Sequence, residues 1–219
     1  MTMPDNFILE RKKVKHARIR VSENLSVRVL VPENFDNTDI QNLLKKKQSW
    51  IDKNLNKFKS RTEKIKLHDN QILLFGNKYT YFYRAEYHNK VVINKEHKTI
   101  QSKINLLDKD QQLKWHKRYA KRHITKRLKE IAKEYKFKYN KVFIRDQRTK
   151  WGNCSTQKNL SFNWRLIKTP DFVIDYLIFH ELVHTRTMNH TAKFWTELRS
   201  LYPEYPEAVK WLDRYGNSL

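Results

Sequence analysis

Alternating polar and apolar residues near the start of the chain predict a small sheet. Residues 18–21 and 26–31 both alternate in this way, which is typical of strands with one buried face. Glu23 and Asn24 lie between the two segments and predict a turn. We therefore expect an antiparallel sheet over residues 7–31.

A different spacing, with apolar residues three and four positions apart, predicts helices. The first helix follows Thr38, which forms a capping box with Gln41, and its apolar stripe ends at Phe58. The longest runs from about Asp110 to Lys136, with many lysines and arginines opposite its apolar stripe. Such a charged face is typical of a solvated helix, and the alternative is a surface that binds nucleic acid.

Further strands are predicted between and after these helices. A group of strands over residues 72–100 contains a turn signal at Gly76. Residues 141–144 and 160–166 predict two more strands, and we expect a loop over residues 145–158 between them. Short strands combined with long helices predict the α+β class.

The segment that begins at Thr169 predicts a buried helix. Thr169 is a favourable cap, and Pro170 suits the first position of a helix. The residues that follow are apolar on nearly every side of the helix, which is typical of burial. This apolar segment nevertheless ends in His180, Glu181 and His184, whose burial without a partner is costly.

A metal ion would remove that cost. Histidines four residues apart lie on one helix face, so His180 and His184 could share one ion. His190 could provide the third ligand after the helix ends, which leaves the open position that a catalytic zinc needs. Glu181 lies beside the first ligand and could act as general base toward an activated water. We therefore predict one zinc ion held by His180, His184 and His190.

The charge of the chain is extreme, with 46 lysines and arginines against 23 acidic residues and a net charge of +23. One interpretation is a polyanionic partner such as nucleic acid. The other is compositional drift, because the chain is also rich in lysine, asparagine and isoleucine. Drift alone does not explain the twofold excess of bases over acids, so both interpretations stay open.

The remaining composition bears on location. The single cysteine, Cys154, excludes an intrachain disulfide and fits a reducing compartment. The first residues lack the pattern of a signal peptide, and no apolar run approaches the length of a membrane span. We expect a cytoplasmic protein with no membrane association.

Several short motifs together resemble the YgjP-like metallopeptidases, zincin-type proteins related to the SprT and Wss1-like group. The likeness extends to the N-terminal strands and so covers nearly the whole chain. Lys150 stands where the family usually has arginine, and Asn153 where it often has serine. The motifs that carry the resemblance are Trp151-Gly152-x-Cys154-Ser155, Asn163-Trp164-Arg165-Leu166, His180-Glu181-Leu182-x-His184 and Asn189-His190-x-x-x-Phe194-Trp195.

The resemblance implies a zincin-like core, in which the helix bearing the histidines packs on a small sheet. It also implies that the metal ligands are His180, His184 and His190 and that the general base is Glu181. The predicted parts are a β-rich region with one helix over residues 1–108 and a catalytic region over residues 109–219. We expect these two parts to form one compact unit.

Zincins pair an extended substrate with the edge strand of their sheet. The strand over residues 160–166 immediately precedes the motif helix, and we expect it to be that edge strand, with little sequence preference. Asn163 or Arg165 could add polar contacts to a peptide or protein substrate. The alternative is that Asn163 only satisfies local backbone groups.

Three functions remain open at the level of the sequence. The first is a zinc metallopeptidase of unknown substrate. The second is a metal-dependent phosphohydrolase acting on nucleotides or nucleic acid, although no glycine-rich phosphate loop is present. The third is a non-enzymatic nucleic-acid-binding protein with a structural zinc, which three histidines disfavour because structural sites usually include cysteine.

Overall fold

The computed structural model describes residues 7–22, 25–60, 65–87 and 90–219. Its contacts group the chain into two compact units, Met1–Lys64 with Asp213–Ser218, and Ile65–Leu212 with Leu219. These boundaries differ from those of the predicted parts, residues 1–108 and 109–219. The division into those two parts stays a prediction. The predicted turn at residues 23 and 24 lies outside the described residues.

The first unit contains a three-stranded sheet. Its strands are β1 (Phe7–Lys12), β2 (Arg18–Val21) and β3 (Val27–Pro32), with β3 in the centre. β2 is antiparallel to β3, but β1 is parallel to it, so the sheet is mixed and not antiparallel as predicted. Alternation shows which face of a strand is buried, but it does not show the direction of its neighbour.

One face of β3 forms the core of this unit. Val27, Val29 and Val31 are fully buried, as expected for every second residue of a strand. They cluster with buried residues of the helix α1 (Asn37–Ser60), including Ile40 and Leu44. The predicted first helix is therefore present, with its apolar stripe buried.

The second unit contains a four-stranded sheet and a long helix. The sheet consists of β4 (Gln71–Leu74), β5 (Asn77–Tyr83), β6 (Val91–Asn94) and β7 (Thr99–Ser102), in the order β4-β5-β7-β6. The long helix, α2, spans Lys109–Glu134, and its buried stripe includes Ala120, Ile124 and Leu128. The Asp108 side chain caps its start by accepting a hydrogen bond from the backbone N–H of Gln111.

A third, smaller sheet precedes the motif helix. It consists of β8 (Val142–Arg145), β9 (Gly152–Cys154) and β10 (Leu160–Asn163), in the order β8-β10-β9. Two predictions are wrong here: the loop over residues 145–158 contains β9, and β10 ends at Asn163 and not at residue 166. A 3-10 helix, Trp164–Lys168, replaces the end of the predicted strand, because the Asn163 side chain caps it by accepting from the N–H of Arg165.

Three more helices follow: α3 (Asp171–His184), α4 (Ala192–Leu201) and α5 (Tyr205–Tyr215). The last residues of α5, from Asp213 onward, are grouped with the first unit. Most residues of α3 are buried, as its apolar composition predicted. Arg127 of α2 forms a bidentate ion pair with Asp175 of α3 at 2.7 and 2.8 Å. This mixture of helices and small sheets confirms the α+β class. No helix among the described residues has both the length and the apolar character needed to cross a bilayer.

The turn between β4 and β5 fixes the segment that leads into α3. The backbone N–H groups of Phe75 and Gly76 donate to the carbonyls of Ile167 and Lys168, both at 2.9 Å. Gly76 has φ of +72°, a conformation that residues with a side chain rarely adopt. A Cβ atom at this position would lie 2.5 and 2.8 Å from Cγ and Cδ of Pro170. The turn therefore needs a glycine for two separate reasons.

We predict that Gly76→Ala destabilises the protein by more than about 2 kcal/mol, since strain in φ adds to the overlap with Pro170. The melting temperature should fall by roughly 5 °C or more, which thermal unfolding measures. Adding Pro170→Ala removes the overlapping ring atoms and should recover part of the loss. An unchanged melting temperature in the single variant would contradict this account of the turn.

Candidate metal centre

Three histidine side chains meet at the end of α3. His180 and His184 lie one helical turn apart, with ring centroids 4.9 Å from each other. α3 ends at His184, and the chain turns there: the N–H groups of Thr185 and Thr187 donate to the carbonyls of Leu182 and Val183. The chain then returns to place His190 beside the first two rings, at centroid distances of 5.0 and 4.6 Å.

The Nε2 atoms of the three rings face one another. Nε2 of His190 lies 3.0 Å from Nε2 of His180 and 3.2 Å from Nε2 of His184. Tetrahedral zinc with nitrogen ligands at about 2.0–2.1 Å separates neighbouring nitrogens by about 3.3–3.4 Å, which is close to these distances. A cation among the three rings would accept all three lone pairs at once. The residues therefore fit a metal ion, and the structure brings together the three ligands that the sequence predicted.

Neighbouring groups orient these rings. Nδ1 of His184 lies 3.0 Å from the carbonyl oxygen of Thr187, so its N–H can donate there while Nε2 keeps its lone pair. Nδ1 of His180 lies 3.5 Å from the hydroxyl of Tyr176. The ring of Phe194, which is fully buried, lies 4.5–5.0 Å from all three imidazoles. In the sequence, Phe194 was part of a motif that carries the resemblance, but nothing there predicted its contact with the three rings.

Burial also favours the neutral form of the histidines, which is the form that binds metal. Burial, together with the charges of the two other histidines, lowers the pKa of His180 to about 3. Burial likewise lowers the pKa of His184, against the hydrogen bond to Thr187 that raises it. These two rings therefore hold free lone pairs at neutral pH.

Glu181 lies next to this cluster and is only 3% exposed. Its Oε2 atom accepts no hydrogen bond from any residue that the structure describes. Burial raises its pKa to about 8, and the positive charge of Lys150 lowers it. A cation on the histidines would also favour the ionised carboxylate. With a pKa of about 8 the group is mostly protonated at neutral pH, so it could receive a proton from water only when a cation on the histidines favours its ionised form.

The strand beside Glu181 is β9. A Cβ atom on Gly152 would lie 2.8 Å from both Cγ and Cδ of Glu181, so only a glycine lets the backbone approach so closely. β9 is at the edge of its sheet, whereas β10 is central between β8 and β9. The expectation that residues 160–166 form the edge strand is therefore wrong. The sequence did not predict β9, because this strand is too short and too polar to show a strand pattern.

Asn163 and Arg165 were predicted to contact the substrate; Asn163 is the last residue of β10, and Arg165 lies in the 3-10 helix that follows. The buried Asn163 amide donates to the carbonyls of Gln147 and Lys150 at 2.7 and 3.1 Å. Arg165 donates to Asp146 at 2.6 Å. Both residues thus hold the segment that leads into β9. Their contact with a substrate stays a prediction.

We predict that Asn163→Ala costs roughly 1–3 kcal/mol, because two partly buried backbone carbonyl groups lose their donor and the N–H of Arg165 loses its cap. Thermal unfolding measures the loss, and limited proteolysis should show faster cleavage within residues 146–151. A residue that only contacts substrate would instead change KM and leave the melting temperature unchanged. That outcome would contradict the supporting role and favour the predicted contact.

Other polar groups of the same part of the chain have partners of their own. Asp175, on the same helix as His180 and His184, pairs with Arg127. The Tyr202 hydroxyl donates to the carbonyl of Phe172 at 3.0 Å. Cys154 is half-buried, and burial raises the pKa of its thiol to about 11, so it stays protonated at neutral pH.

Comparison with known proteins agrees with this geometry. The family model described as YgjP-like, metallopeptidase domain, matches residues 15–215, which confirms the resemblance seen in the sequence. A search of curated proteins found no match. Among solved structures, the chain is similar to the metallopeptidase zymogen jannalysin of Methanocaldococcus jannaschii, with 26% identity over 40% of this chain and 90% of that one. The TM-score of 0.36 is too low to bear on the fold.

Proposed function

Because this chain belongs to the YgjP-like metallopeptidase family, we propose that it is a zinc-dependent peptidase that cleaves peptide bonds. His180, His184 and His190 would hold one zinc ion, and Glu181 would be the general base. The observation that carries the proposal is the convergence of three Nε2 atoms beside a buried, unpartnered carboxylate. Three protein ligands leave the open position that distinguishes a catalytic zinc from a structural one.

When bound, zinc supplies a Lewis acid that lowers the pKa of water and polarises a carbonyl group. The protein supplies the proton transfers. Glu181 accepts a proton from the attacking water and donates it to the departing amine. Its burial excludes bulk water, and the nearby charge of Lys150 helps to keep the carboxylate ionised before the reaction.

We also propose that β9 positions the substrate. Its partner within the described sheet is β10 on one side, which leaves the backbone groups of its other side available. An extended peptide that pairs there lies next to Glu181, because Gly152 of β9 packs against that side chain. Main-chain pairing gives orientation with little sequence preference. The predicted polar contacts of Asn163 and Arg165 would add to this pairing.

The test of this function combines metal removal with a broad choice of substrates. We expect the purified protein to contain one equivalent of zinc and to cleave members of a mixed peptide library. A chelator should abolish cleavage, and added zinc should restore it. A nucleotide panel serves as the comparison. Turnover of nucleotides with no cleavage of any peptide would overturn the peptidase assignment in favour of a phosphohydrolase.

A further inference from the structure

A cavity away from the histidine cluster lies beside α2, on the side of the helix where β6 begins. Its volume is about 490 Å³, within the range of small-ligand sites. Cations and apolar groups line it together, and no acidic residue does. The residues that matter for its chemistry are Lys90, Val92, Trp115, Arg118, Tyr119 and Arg122.

The arginines of this cavity have no acidic partner among the described residues, whereas other cations of the same helix do. Lys117 pairs with Asp146 at 3.0 Å, and Arg127 pairs with Asp175. Arg118 and Arg122 are exposed and have no carboxylate within 4.0 Å in the described part of the chain. Their charges are therefore free to bind an anion.

The unpaired charge continues along α2. Lys114, Arg118, Lys121, Arg122 and Lys129 are all exposed, and their spacing of three, four and seven residues places them on one helix face. This cationic stripe is about 22 Å long, at 1.5 Å per residue. The helix has no acidic residue from Gln111 to Lys129 that could neutralise it. An extended ligand with repeated negative charges fits such a face.

Aromatic rings form one wall of the cavity. Trp115 and Tyr119 stack with their centroids 5.5 Å apart and an angle of 23° between the rings. The Arg122 guanidinium lies 5.0 Å from the centre of the Tyr119 ring. Val92 adds an apolar side chain that is 40% exposed. Trp115 is only 5% exposed, and Tyr119 also stacks with His123, so the two rings offer their edges to the cavity and not a free face. A planar, partly apolar group would find edge-to-face and apolar contacts here.

We propose that the cavity and the cationic stripe of α2 bind single-stranded nucleic acid. An unpaired base would enter the cavity beside Trp115 and Tyr119, and the phosphates of the same strand would follow the stripe. A charged track beside a cavity with aromatic and apolar walls suits binding of a single strand without sequence preference, because every base has an apolar ring. The inference does not rest on the peptidase activity, because none of these residues belongs to the metal centre.

The cavity distinguishes a single strand from other polyanions. In a duplex the bases are stacked and paired, so only the stripe would act. An acidic protein could pair with the stripe, but its carboxylates would not use the aromatic wall. An edge-to-face contact between aromatic rings contributes about 0.5–1.5 kcal/mol, which corresponds to a preference of at least roughly twofold for the single strand.

The test measures binding of a fluorescent oligothymidylate of about 16 nucleotides by anisotropy at several salt concentrations. Arg118→Gln with Arg122→Gln should weaken binding roughly tenfold and reduce the salt slope by about 1.4, or about 0.7 for each lost phosphate contact. Lys45→Gln with Lys46→Gln on α1 makes the same change in charge at exposed positions of the other unit and should have little effect. Val92→Glu, at an exposed strand position, should weaken binding by placing a negative charge at the cavity.

Three results would overturn the inference. One is equal loss in the α1 and α2 double variants, which indicates attraction by net charge alone. Another is equal affinity for the single strand and a duplex of the same length. The third is displacement of the oligothymidylate by polyglutamate at matched charge concentration. Melting temperatures within about 2 °C of the wild type establish that the surface variants are folded.

Discussion

Glu181→Gln is expected to lower kcat for peptide cleavage about a thousandfold while leaving metal binding intact. Glutamine has the same shape but cannot accept the proton of an attacking water, and general acid–base groups contribute about 10²–10⁴ in rate. The side chain is not among the three groups that fit the metal, so zinc content should not change. The measurements are kcat on a cleaved peptide and zinc by elemental analysis.

The same variant should keep or raise the melting temperature. A buried carboxylate with an unpartnered oxygen is costly, and the neutral amide avoids the cost of burying a charge. Glu204→Gln is the matched control, because Glu204 is exposed, and its activity should equal that of the wild type. Undiminished cleavage by Glu181→Gln would exclude Glu181 as the general base.

His190→Ala is expected to weaken zinc binding by more than about 100-fold and to abolish cleavage with it. Loss of groups that only orient metal ligands already costs about 10–100-fold in affinity, and a direct ligand should cost more. His190 is exposed, so its removal should leave the metal-free protein folded. Zinc should then raise the melting temperature of the wild type but not of the variant, because only the wild type binds the ion tightly.

His97→Ala provides the control for this experiment, since His97 is also exposed and lies outside the cluster of three histidines. It should bind zinc as the wild type does. If His190→Ala retained the zinc affinity of the wild type, the third ligand would have to be another group.

The local parts of the candidate site followed from the sequence. The two histidines of α3 lie on one face because helical spacing requires it, and the apolar run before them indicated burial. The return of the chain to His190 needs only a short turn after the helix. These features depend on residues close together in the chain, which is where patterns are informative.

Features of the fold and the site that depend on contacts between distant segments could not be predicted from the sequence. β9 has only three residues, one of them a glycine, so its pattern does not indicate a strand, yet it packs against Glu181. Its identity as the edge strand depends on pairing with β10. Similarly, the parallel pairing of β1 with β3 depends on how the chain crosses the sheet. The sequence also does not show that the Asn163 amide donates to two backbone carbonyls, so it predicted only a contact with substrate or with local backbone groups.

The hydrogen bonds from Phe75 and Gly76 to the segment before α3 have a consequence for the order of assembly. The three imidazoles belong to one short stretch of chain, so they can meet early and at small entropic cost. The β4–β5 turn comes from a distant part of the chain, and closing that long loop is slow. A nascent protein could thus acquire its ion before the scaffold that aligns the catalytic helix has formed, and maturation of activity would lag behind metal uptake.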